Sequence, residues 1–91
     1  MTLEEFFTEI LNSPAKFRVD GFNIRDEQGL CPICSLLYHK SGGRIRYETK
    51  HYRMAATELG LSTNTVGTII GAADHPESFL RYRLLQACRI I

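Results

Sequence analysis

YRMAATELGLSTNTVGTIIG, residues 52 to 71, carries two short helical patterns around a break. Met54 or Ala55, Leu59, Leu61 and Ile69 supply the spaced apolar positions. Ala56 is the small residue near the end of the first helix, Gly60 is the turn residue able to take positive φ, and Val66 is the aliphatic of the second helix. Ser62 is placed to cap that second helix through its hydroxyl. The spacing predicts that Ala56, Gly60 and Val66 meet at a close helix crossing, where Cβ bulk at either small position would push the helices apart.

Outward from this unit, the N-terminal side is basic. Lys40, Arg44, Arg46, Lys50 and Arg53 are opposed only by Glu48, with Tyr47 and Tyr52 among them, a mixture suited to phosphate contact and stacking. Arg44 to Thr49 fits either an edge strand or a basic loop. Upstream, Cys31 to His39 reads as a helix with proline in its first turn, ended by Gly42-Gly43. Asp26 to Gly29 reads as a polar loop. Lys16 to Arg25 reads as a hairpin turning at Asp20-Gly21. Thr2-Leu3-Glu4-Glu5 is a capping box opening a helix over 3–12, which Asn12-Ser13-Pro14 ends. On the C-terminal side, helices are predicted over Thr63 to about Ala73 and over Glu77 to Ile91, the latter with Leu80, Leu84, Ala87, Cys88 and Ile91 in one apolar stripe. Arg81, Arg83 and Arg89 lie off that stripe, as solvated charge or a binding face. Glu4, Glu5 and Glu9 form an acidic, solvated face. The expected fold is a single mainly α domain over 1–91, with four to five helices, a helix-turn-helix and a minor β-hairpin near residues 16–25.

Ninety-one residues, 44% of them hydrophobic, describe one small core. Such a domain buries only about 60 to 65% of its unfolded surface, which leaves no room for a deep active site and a lid and argues against an enzyme. Net charge divides unevenly: residues 1–30 carry three basic and six acidic groups (3 − 6 = −3), and 31–91 carry eight and four (8 − 4 = +4). No apolar run approaches the roughly 18 residues of a membrane span, and MTLEEFFTEI is acidic where a signal peptide is basic. The expected location is cytoplasmic, without a membrane partner.

Residues 52–71 resemble the helix-turn-helix of small bacterial and phage regulators. More broadly, Cys31 to Ile33, Ala55 to Leu61 and Ala72 to Asp74 resemble segments of small accessory proteins of phages and prophages, over residues 15–91. That wider resemblance implies no particular activity. The helix-turn-helix resemblance implies DNA binding, with the second helix in the major groove. Asn64 is suited to adenine, and Thr63 or Thr68 to a phosphate or a thymine methyl. No Arg or Lys lies between Thr63 and Ala73, so phosphate anchoring falls to Arg44, Arg46, Lys50 and Arg53. Two alternatives stay open beside this non-enzymatic DNA-binding regulator. One is a protein-binding inhibitor or adaptor, directed for example at a host nucleoprotein machine, that uses the acidic first helix or the helix notched by Gly67 and Gly71. The other is a zinc-stabilised module. Homodimerisation stays open as well, as operator readers are often symmetric.

Cys31-Pro32-Ile33-Cys34 has the spacing of a zinc knuckle or a redox pair, and His39 follows. A structural zinc needs four ligands, and only His51, His75 or Cys88 remain to complete a set. The favoured reading is packing, with Cys34 and Cys88 in the core and no cofactor. Cys34 and His39 do not share a helical face, and Gly42-Gly43 lacks the Lys-Ser/Thr of a phosphate loop, so no catalytic arrangement is predicted.

Overall fold

In a computed structural model covering residues 1–91, Thr2 caps the first helix as the sequence predicts. Its hydroxyl accepts from the Glu5 N–H at 3.1 Å, and the Glu5 carboxylate accepts from the Thr2 N–H at 2.9 Å. The bond from the Thr2 N–H holds Glu5 below the ordinary carboxylate range. Helix α1 spans Leu3–Asn12 and buries Phe6, Phe7 and Ile10.

Strands β1 (Phe17–Asp20) and β2 (Asn23–Asp26) pair antiparallel, with Asp20 opposite Asn23. The turn is therefore Gly21-Phe22, one residue later than the expected Asp20-Gly21. Gly21 at φ +65° takes the first central position and Phe22 has negative φ, the sign pattern of a type II′ turn. In this register Ile24 faces the core, while Phe22 and Val19 stay exposed. Asp26 is buried rather than part of a solvated loop. Its Oδ1 accepts from the N–H groups of Gln28 (2.8 Å) and Leu30 (2.9 Å), which folds residues 26–30 back toward the next helix.

Helix α2 (Pro32–Lys40) buries every residue from Pro32 to Leu37, so it serves as the central helix of the domain. Gly43 and Gly42 close it by donating to the carbonyls of Tyr38 and His39 at 2.8 and 3.1 Å. Residues 44–48 form no strand; the segment is a basic loop that ends in a single 3₁₀ turn, Thr49–His51. Helices α3 (Tyr52–Glu58) and α4 (Thr63–Asp74) follow where the sequence predicts them. Helix α5 spans only Arg81–Ala87, starting four residues later than expected. His75 precedes a proline and is extended, and Ser78 then uses its hydroxyl on the Leu80 N–H (3.4 Å) in a turn that competes with helix.

Six of the elements feed one core of 20 residues that includes Phe6, Ile10, Ile24, Ile33, Leu36, Ile69 and Leu84. The main packing is α2 on α3, α1 on α5, and α4 on both α5 and β2. The radius of gyration, 11.5 Å, is close to the ~12 Å expected of a domain this long. No helix is long and apolar enough to cross a membrane.

The C-terminal arginines, expected as solvated charge or a binding face, all make contacts within the chain. Arg81 donates to the carbonyls of Ala73 (2.7 Å) and Ala72 (3.4 Å), which stabilises the end of α4. Arg83 grips the Glu4 carboxylate at 2.6 and 2.7 Å and lies 4.8 Å from the centre of the Phe7 ring. Arg89 donates to the carbonyls of Leu11, Ser13 and Ala15 at 2.7–2.8 Å, tying the C-terminus to the end of α1. Lys40 pairs with Glu9, so with Glu5 in the capping box all three carboxylates of the acidic helix are engaged within the chain.

Candidate functional site

Helix α3 closes with Gly60 at φ +74°. Its N–H donates to the Thr57 carbonyl at 3.1 Å, and the Leu61 N–H donates to the Ala56 carbonyl at 2.9 Å. Ser62 then caps α4 by accepting from the Thr65 N–H at 3.2 Å. This is the expected helix, short turn and helix, and Gly60 takes the predicted positive φ, but not the predicted close approach. A Cβ built on Gly60 would meet only the Met1 nitrogen, at an ordinary 3.6 Å, so position 60 requires positive φ and not close approach.

The predicted close crossing at Ala56 and Val66 is replaced by an open groove. Helix α3 leans on α2 while α4 leans on α5 and β2, and a space of about 580 Å³ lies between them. Ala56, Leu61, Val66 and Ile70 line it together with Thr63. Gly67 and Gly71 deepen it, because a Cβ at either would touch nothing within 4 Å. Tyr52, Arg53 and His75 border it, and no carboxylate does.

Of the residues expected to contact DNA, the fold brings Arg53 and Thr63 to this one groove. Arg53 is exposed and lies over the Tyr52 ring, 5.8 Å from its centre. Lys50 is exposed on the preceding 3₁₀ turn, 3.5 Å from Glu48. Asn64 is exposed on the flank of α4 beside the groove, and the Thr68 hydroxyl donates back to the Asn64 carbonyl at 3.0 Å. Arg44 and Arg46 stand apart on the loop after α2, where their Nε atoms donate to the Ser41 carbonyl (3.0 Å) and Gln28 Oε1 (3.2 Å). Tyr47, expected among the stacking rings, meets Glu58, and this contact raises its pKa.

A second, smaller cavity of about 240 Å³ adjoins the groove, sharing Tyr52 and Ile70 with it. Arg25, Lys50 and Asp74 carry its charge, and Cys31 lines it. Cys31 is the N-cap of α2 and Cys34 is the third residue of that helix. The Cys31 N–H donates to Thr49 Oγ1 at 3.0 Å, and the Cys34 thiol reaches the Glu48 carbonyl at 3.6 Å. Both thiols are free and buried. The neighbouring Cys34 thiol, with the helix-start N–H groups of Cys34 and Ile33, draws Cys31 down to about 7. Cys34 is pushed up by Cys31 and by burial. Cys88 lies elsewhere, in the core, where burial pushes its thiol up to about 12.

The zinc candidates do not assemble. His39 lies five residues beyond Cys34 near the far end of α2, edge-on to the Tyr38 ring at 5.2 Å, and no three His, Cys, Asp or Glu side chains gather anywhere. Sequence reasoning missed Arg25, Tyr52, Ile70 and His75 as cavity residues. Tyr52 reads in the sequence as a stacking ring among the cations, His75 as a helix boundary and a spare zinc ligand, and Arg25 belongs to a strand with no local link to Cys31. No family model, curated protein or solved structure matches the chain, so the functional reading rests on the geometry of these two cavities.

Proposed function

We propose that the chain is a non-enzymatic regulatory protein of the phage type that binds duplex DNA through α3 and α4. One observation carries the reading: Arg53 and Thr63 border the same open groove, and no carboxylate lines it. Arg53 and Lys50 anchor phosphates at the start of α3, and Arg44 and Arg46 extend the cationic surface along the preceding loop. Thr63, Asn64 and the Thr68 methyl supply the contacts to base edges from the first half of α4. Fluorescence anisotropy with mixed-sequence duplex DNA tests this. Binding should weaken steeply with salt and weaken further in Arg53→Ala and Lys50→Ala; affinity indifferent to salt and to both substitutions rejects it.

The open space at Gly67 and Gly71 favours a second reading, a protein partner that inserts a helix into the groove as an inhibitor or adaptor would. A stoichiometric protein partner that is retained after nuclease treatment, and lost on Gly71→Leu, would support this reading over the first.

A further inference from the structure

We infer that Cys31 and Cys34 form a thiol–disulfide couple that exchanges with small, carboxylate-bearing disulfides through the cavity beside Arg25 and Lys50. The N-cap and third residues of a helix face each other, as Thr2 and Glu5 do in the capping box of α1. In α2 those two positions are Cys31 and Cys34. Separations of this kind at a helix start fall within the reach of a disulfide, and Pro32 holds the first turn between them. Cys31 is almost wholly covered by protein, and it lines a cavity of about 240 Å³ bordered by two cations. Cys34 does not line that cavity. Of the two cysteines, Cys31 is thus the one that borders the cavity.

The exchange balances in two steps. The Cys31 thiolate attacks one sulfur of the small disulfide, forms a mixed disulfide and releases the first small thiolate. Cys34, deprotonated as it attacks, then displaces the second small thiolate from Cys31, which leaves a Cys31–Cys34 disulfide. Two protein thiols are oxidised, one small disulfide is reduced, and the two released thiolates take up the two protons. Arg25 and Lys50 supply charge complementary to the carboxylates of the incoming disulfide, against the single opposing Asp74. Oxidation also removes the hydrogen that Cys34 donates to the Glu48 carbonyl.

Oxidised glutathione and the native full chain test this. Trypsin releases both cysteines in one peptide, Asp26 to Lys40, which should become lighter by two hydrogens while the Cys88 peptide stays unchanged. Cys34→Ser should hold one glutathione on Cys31, and Cys31→Ser should hold none. Because these variants can lose the fold, wild-type alkylation by iodoacetamide provides a second measure. Cys31 should react first, with a rate midpoint near pH 7, amid the groups that face it: Arg25 and Asp26 of β2, Cys34, Lys50 and Asp74. Arg25→Gln, compared at a pH where Cys31 is fully ionised, should slow glutathione exchange about tenfold more than exchange with uncharged hydroxyethyl disulfide. A native chain that forms no Cys31–Cys34 disulfide, reacts at Cys88 first, or exchanges equally well as Cys31→Ser overturns the couple. Equal slowing of both disulfides by Arg25→Gln overturns the carboxylate selectivity.

Discussion

Arg89 holds φ 60°, a conformation that costs a non-glycine residue about 1–2 kcal/mol, where it closes α5 as Gly60 closes α3, and its guanidinium reaches the carbonyls of Leu11, Ser13 and Ala15. Charge-assisted hydrogen bonds contribute about 1.5–3 kcal/mol, so the bonds outweigh the strain. Arg89→Ala should therefore lower stability by about 2 kcal/mol. Arg89→Gly, which relieves the strain, should lower it by about 1 kcal/mol; urea denaturation checks both. Ser35 is the reverse case: its Oγ is buried without a partner, so Ser35→Ala should raise the urea midpoint, by about 1 kcal/mol in stability. The thiols set a pH dependence. Cys88 is neutral in the fold and its pKa is raised from 9.0 to about 12, so its contribution is whole below pH 9 and disappears as pH climbs through 12. Cys31, lowered from 9.0 to about 7, contributes fully above pH 9 and loses that contribution as pH falls through 7. Urea midpoints of wild type should fall more steeply between pH 9 and 11 than those of Cys88→Ala. Arg89 itself could not have been assigned from sequence, since nothing local to residue 89 shows that the end of α1 lies beside it.

Helix ends were legible because their signals act within a turn. Thr2 with Glu5, Gly42-Gly43, Gly60 and Ser62 all sit at the helix ends that the sequence predicts, satisfying backbone groups only three to five residues away, and Pro32 opens α2 where an N–H would lack a helical partner. The hairpin turn and the start of α5 were misread for a related reason. At each, two local solutions compete, and the packing of Ile24 or Leu84 into the core selects one. Within α4, Gly67 and Gly71 are in a helix interior with room for a side chain. Gly67→Ala and Gly71→Ala should each raise stability by about 0.8–1 kcal/mol in chemical denaturation. If either glycine is needed for a partner to approach, the stabilised variant will bind that partner less well, a divergence that a stability effect alone would not produce.

At the scale of the whole molecule the net charge is only +1, so any attraction to a polyanion is local, set by the cations between Arg44 and Arg53. If those four groups contact phosphates, the slope of log affinity against log salt should be about −3.5, and each single alanine substitution should bring it about 0.9 closer to zero. The shared core of 20 residues predicts one cooperative transition seen alike by far-ultraviolet dichroism and tyrosine fluorescence. A mainly α domain with a β-hairpin, and the two short helices on either side of Gly60, are readable from the sequence because caps, glycines and apolar periodicity act over a few residues. Long-range packing alone sets the groove between α3 and α4, brings Arg25 to Cys31, and engages three C-terminal arginines in internal contacts. Those outcomes depend on which distant surfaces cover one another: α3 packs on α2, and α4 packs on α5 and β2.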